Sequence, residues 1–208
     1  MNEAPETAVG AGMGSFRPRL TYYHPNSKNT GSALQLELHP AHDAVGGSLF
    51  ADLAPQRTAG VRDARGEVKT FPSFDWRNKL SVKLDLTDLV QVLSVFRGIQ
   101  ESIADGKGLF HRSSSAVTAI HLEHRIDPTP GYSFDIWRKP NEGEARRGGF
   151  FFSPAEACGL SIAIEQVIGV IAFGIPAVQP RTGRLTEQGP AFSHVSNEWR
   201  AAVPDATT

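Results

Sequence analysis

Hydrophobic and polar positions along this chain follow two periods, and the switch from one to the other happens twice. In the first half SALQLEL alternates strictly, with Leu34, Leu36 and Leu38 on one side. LTYYHP before it and SLFADLAPQ after it have the aromatic and apolar content of strands. FDWRNKLSVKL continues the alternation through Leu80, Val82 and Leu84. These four segments predict strands, with Gly46-Gly47 and the Asp63-to-Gly66 stretch as turns. At Leu86 the spacing becomes helical (Leu86, Leu89, Val90, Leu93, Phe96), which predicts a helix from Thr87 to Phe96 closed by Gly98.

The second half repeats the plan. AVTAIHLEHRI places Ile120, Leu122 and Ile126 on one face, GYSFDIWRK alternates at Tyr132, Phe134 and Ile136, and GGFFF is a short strand. Ser153-Pro154-Ala155-Glu156 is a capping box with proline at the first helical position, so a second helix starts there and runs to Phe173, ending at Gly174. The expected class is α+β: two β-meander-plus-helix units, each antiparallel sheet burying one face on a helix and leaving the other uncovered. Residues 1–18 are rich in Gly, Ala, Pro and Glu and are expected to be disordered. Residues 177–208 have little periodicity and are expected to form a flexible tail, in which Phe192 and Trp199 are docking candidates.

Composition narrows the partners. With 208 residues and 40% hydrophobic content the chain can bury a good core. The net charge of −1 excludes a globally basic protein but not a locally basic face. Between Arg57 and Lys83 there are seven basic residues against three acidic ones. The single cysteine, Cys158, lies among Ala157, Leu160 and Ile164 and is expected to be an inert core thiol. CGLSIAIEQVIGVIAFGIP contains Glu165 and Gln166 and reads as a buried helix, not a membrane span. MNEAPETAVGAGMG has the features of neither a secretory signal nor a transit peptide, so a cytoplasmic location is expected.

Signs of catalysis are thin, and the chain reads as a non-enzyme without metal or cofactor. His39, His42 and Asp43 in HPAHD read as a polar turn. His121 and His124, three apart on a strand, point to opposite faces. Ser113-Ser114-Ser115 after His111-Arg112 reads as a loop, with no nucleophile elbow around it. The polar strand faces carry more information. Arg77, Lys79, Ser81 and Lys83 share one side of their strand; Ser133, Asp135, Trp137 and Lys139 share a side of another; His121, Glu123 and Arg125 oppose Ile120 and Leu122. A sheet face that mixes cations with aromatic rings suits single-stranded nucleic acid, whose bases stack while Lys and Arg follow the phosphates.

The wording of several segments is similar to the Whirly family of single-stranded-DNA-binding proteins. Ser27-Lys28-Asn29-Thr30-Gly31-Ser32-Ala33-Leu34 resembles that family's lysine- and glycine-containing Ala-Leu strand, and SLFADLAPQRTAGVR its leucine-rich strand followed by Ala-Pro and a basic turn. Phe74-Asp75-Trp76 resembles its Tyr-Asp-Trp segment, the most specific match. GYSFDIWRK and FFFSPAEACGLSIAIEQVIGVIAFG correspond to its last strands and long C-terminal helix. The resemblance spans Leu20 to Pro176 and implies two ββββα repeats over residues 19–176, homo-tetramers held mainly by the helices, and sequence-tolerant binding of single-stranded DNA along and between the blades, in replication, repair or recombination. Related folds bind RNA, so RNA is the rival ligand, and a protein-interaction scaffold is a further alternative. The family's lysine-glycine-lysine signature is replaced by Thr30-Gly31-Ser32, leaving Lys28 as the nearest cation. On this reading Lys28, Arg57, Arg77, Lys79, Lys83, Arg125, Arg138 and Lys139 contact phosphates, and Tyr22, Phe50, Trp76 and Trp137 stack on bases. Trp76 shares the parity of Leu80 and Val82, which favours a core anchor for it.

Overall fold

The computed structural model describes residues 18–40 and 46–174. The expectations for residues 1–17 and for the tail with Phe192 and Trp199 lie outside them, as do His42 and Asp43. The first sheet comprises β1 (Arg19–His24), β2 (Ser32–His39), β3 (Ser48–Thr58), β6 (Ser73–Phe74) and β7 (Leu80–Leu84). Both β6 and β7 pair with β3, and a small hairpin of β4 (Val61–Arg62) and β5 (Val68–Thr70) interrupts the meander. After α1 (Leu86–Phe96) comes the second sheet, of β8 (Leu109–Arg112), β9 (Ala116–Arg125), β10 (Gly131–Pro140) and β11 (Arg146–Phe152). The chain then enters α2 (Pro154–Phe173). All strand pairings are antiparallel.

Local chemistry explains most boundaries. Asp85 caps α1 and Ser153 caps α2, each in a reciprocal capping box with Asp88 and Glu156 respectively. Helix α1 ends at its C-cap Arg97, one residue before Gly98. Two elements differ from expectation. FDWRNKLSVKL is not one strand: the Asp75 carboxylate accepts from the Asn78 amide and sets up a 3₁₀ turn over Trp76–Asn78, so the strand restarts at Leu80. Strand β8 falls where no element was expected, and Ser113 to Ser115, expected as a loop, form the turn into β9.

The inner faces of the two sheets share one core with both helices. Leu34, Leu36, Leu53, Leu80 and Val82 come from the first sheet, and Ile120, Leu122, Phe134, Ile136 and Phe152 from the second. Each such side chain contributes about 1.5–3 kcal/mol by leaving water. Strand β11 lies close against the first sheet. A Cβ on Gly148 would stand 2.8 Å from Leu53 Cδ2, so any larger residue there would displace the Leu53 side chain.

Helix α2 corrects two expectations. Ala157, Leu160, Ile164 and Ile171 are buried, but Ile162 is 57% and Phe173 91% exposed, and Cys158 is also exposed. Its spacing from Ala157 and Leu160 turns the thiol off the buried flank. The helix is long and apolar enough to cross a membrane by length and composition, although its buried flank lies in the core of the sheets. Being apolar on every side, it leaves a hydrophobic flank uncovered in the single chain.

Candidate nucleic-acid interface

Strand register assigns every side chain of the sheets to the core or to the outer surface. On the first sheet one outer row runs Arg19, Glu37, Phe50, Lys83 and the next Thr21, Gln35, Asp52, Ser81. On the second sheet one row runs Phe110, Ala119, Trp137, Arg147, followed by His121, Asp135, Gly149 and then Glu123, Ser133, Phe151. Lys139 pairs with Val117, which pairs on its other side with Arg112. A depression of about 360 Å³ in this face is lined by His121, Glu123, Arg125, Asp135, Trp137 and Arg147. Trp137 is half-buried there, with Arg147 opposite it in register.

Many of the cations on these faces already have partners. Lys79 Nζ lies 2.5 Å from Asp52, whose other oxygen accepts from the Ser81 hydroxyl. Arg125 pairs with Glu123 at 2.6 Å, Arg147 with Asp135 at 3.2 Å and Arg19 with Glu37 at 2.7 Å. Lys83 and Lys139 are exposed and have no ion-pair partner among the described residues. A polyanion laid on either sheet therefore meets unpaired lysines and paired arginines side by side.

The structure divides the anticipated residues. It keeps Phe50, Lys79, Lys83, Arg125, Trp137 and Lys139 on the outer faces. Phe50 lies beside His39, with ring centroids 4.5 Å apart. Lys28 and Arg57 are exposed at the β1–β2 turn and the end of β3 respectively. Arg77 sits in the 3₁₀ turn, and Lys79 is that turn's C-cap, one residue before β7. Arg138 shares the inner parity of Phe134 and Ile136, and its guanidinium donates to the Ser81 carbonyl of the other sheet, so it is a tie between sheets. Tyr22 also points inward, with its ring 5.7 Å from Phe152 edge-on and 6.2 Å from Phe150. Burial, and after it the Glu156 carboxylate, push its phenol up. Trp76 lies in the 3₁₀ turn, half-buried and outside the core cluster, because the turn removes the strand parity that a core anchor required.

His121 and His124 do lie on opposite faces: His121 lines the outer depression, and His124 packs on the Tyr132 ring at 4.9 Å. Three outer-face aromatics were not anticipated. Phe110, 67% exposed, belongs to the unanticipated strand β8, while Phe151 was legible from the parity of GGFFF. Tyr23, 56% exposed and 5.4 Å from the Phe74 ring, was legible from its opposite parity to Tyr22.

Solved structures with the same architecture include WHY3 from Arabidopsis thaliana, with TM-score 0.56 and 17% identity over 76% of this chain and 90% of that one. WHY1 from Arabidopsis thaliana gives TM-score 0.55 and 18% identity over 75% and 91%. The plant transcriptional regulator PBF-2 gives 0.53 and 15% over 76% and 83%. No family model and no curated protein matches the sequence. A five-stranded and a four-stranded antiparallel sheet, each feeding a helix and sharing one core, make the Whirly-like α+β fold, and that is the fold of this chain.

Proposed function

We propose that this protein binds single-stranded nucleic acid, DNA in preference, with little regard to sequence, along the outer faces of its two sheets. One observation carries the reading. Both outer faces combine an aromatic ring with a lysine that has no ion-pair partner among the described residues, Phe50 with Lys83 on one sheet and Trp137 with Lys139 on the other. Bases of any identity can stack on such rings, while the lysines take phosphates. The likeness in fold to WHY1 and to a plant transcriptional regulator supports a nucleic-acid ligand. The uncovered flank of α2, with Ile162 and Phe173, supports self-association through the helices into a tetramer. The role is binding rather than catalysis, within DNA replication, repair or recombination in the cytoplasm.

A gel shift comparing an oligo-dT strand, the corresponding duplex and an RNA strand of equal sequence tests the ligand class. Preferential retardation of the DNA strand, weakening steeply as salt rises, is the expected result. Tighter RNA binding would reassign the physiological ligand, and equal or absent binding to all three would sink the proposal. Absent binding would favour a scaffold role, which the net charge of −1 and the four paired cations also fit.

A further inference from the structure

Outside the two sheet faces, a depression of about 500 Å³ lies between the β1–β2 turn and the β4–β5 hairpin. Asn26 and Ser27 line one side, and Val61, Arg62, Val68 and Phe71 the other. Phe71 is 80% exposed, and Val61 and Val68 are 49% and 43% exposed, so the depression has three solvent-exposed hydrophobic side chains in its lining.

Both walls are braced. The buried Gln56 amide accepts from the Asn26 and Gly31 backbone N–H groups at 2.8 and 3.2 Å, and donates to the Asn26 and Thr58 carbonyls at 2.8 and 3.1 Å. One side chain thus ties the turn to the end of β3. The Thr58 and Ser73 hydroxyls meet at 2.6 Å just beyond Phe71 and Pro72. A Cβ on Gly60 would come 3.2 Å from Pro72 and 3.3 Å from the Thr70 carbonyl, so the hairpin base is closely packed. The exposed Phe71 ring thus stands beside a closely packed hairpin base.

Charge selects the occupant. From Arg57 to Pro72 there are four cations, Arg57, Arg62, Arg65 and Lys69, against Asp63 and Glu67. Asp63 closes the hairpin turn by accepting from the Arg65 and Glu67 amides. Among the described residues none of the four cations is in an ion pair, and Lys28 follows directly after the depression's Ser27. An apolar protein segment has no use for this excess of positive charge, whereas a nucleotide supplies a flat ring and a phosphate together.

We infer that the β4–β5 hairpin is a second nucleic-acid contact, with an unpaired base stacking on Phe71 and its flanking phosphates held by Arg62 and Lys69. This rests on the single-strand-binding reading above and extends the path of the strand beyond the sheets. Fluorescence anisotropy of labelled oligo-dT with the full-length chain tests it, using Phe71→Ala, the double variant Arg62→Gln/Lys69→Gln, and Trp137→Ala as the sheet-face control. Phe71→Ala should weaken binding about tenfold with the salt slope unchanged, the loss of one stacked base. The double variant should flatten the slope by about 1.4, two phosphate contacts on a single strand. Photocross-linking of a 5-iodouracil strand should mark the peptide that carries Phe71. If Phe71→Ala and the double variant bind within twofold of the unaltered protein while Trp137→Ala is weakened, the hairpin contact is overturned and the sheet-face reading stands. A protein or lipid occupant would give that same overturning result. If the unaltered protein binds no strand at all, both fall together.

Discussion

Arg138 Nη1 donates to the Ser81 carbonyl at 3.1 Å, a hydrogen bond from the middle of the second sheet to the last strand of the first. Its neighbour Lys139 points the other way, exposed and without an ion-pair partner among the described residues. Adjacent cations thus serve different ends. Arg138→Gln should lower unfolding stability by about 1 kcal/mol and leave the salt dependence of oligonucleotide binding unchanged. Lys139→Gln should leave stability unchanged and flatten the salt slope by about 0.7. Chemical denaturation and binding titrations at several salt concentrations separate the two; a swapped pattern refutes the assignment.

Asp52 is only 5% exposed and neutralises Lys79 in the outer face of the first sheet. Asp52→Asn should cost about 2 kcal/mol of stability through weakened hydrogen bonds. The same change releases Lys79 to a phosphate, so binding should strengthen at low salt and its salt slope should steepen by about 0.7. Weaker binding at every salt concentration, with the fold intact by circular dichroism, would show that Lys79 has no part in the interface.

Glu156 closes the α2 capping box and lies 2.7 Å from His24, whose ring stacks on Phe150. Partial burial pushes its carboxyl up, but the Ser153 amide, the His24 ring and the Ser153 hydroxyl together outweigh burial and hold it below the usual glutamate value. A carboxyl lowered in the folded state stabilises the fold above its unfolded value, near pH 4.5, and that contribution is lost as pH falls through the lowered folded value. Thermal melts between pH 7 and pH 3 should therefore show a drop that is smaller in Glu156→Gln, which starts less stable at pH 7. Parallel curves for the two proteins would remove Glu156 from the acid response.

Ile162 is 57% exposed on the uncovered flank of α2. Ile162→Glu should change the stability of the single chain by no more than about 0.5 kcal/mol and split the proposed tetramer. Light scattering after size exclusion reads the mass directly. An unaltered tetramer mass would place the self-association surface elsewhere, and a monomeric unaltered protein would end the proposal.

Much of this protein was legible in its sequence because local rules and tertiary demands agree there. The alternation at Leu34–Leu36–Leu38 and at Tyr132–Phe134–Ile136 marks strands with one buried face, and the Ser153-to-Glu156 capping box starts α2 where the hydrogen bonds say it starts. With the faces assigned, Trp137 and Lys139 had to point outward. What periodicity missed was decided by contacts between segments distant in sequence. Strand β8 is four residues long and pairs only with β9, too short a run to show a period of two. Asp75 breaks a strand that alternation alone continues, and this takes Trp76 out of the core. The roles of the cations could not be read in advance, because an arginine and a lysine look alike until a carboxylate or a carbonyl is brought beside one of them. Tertiary structure placed Asp52 beside Lys79 and Ser81 beside Arg138, and it left Lys83 and Lys139 without an ion-pair partner among the described residues. Alternation in the sequence determined which strand positions of β2 and β10 face water; the packing of one sheet on the other decided which of the charges are already satisfied.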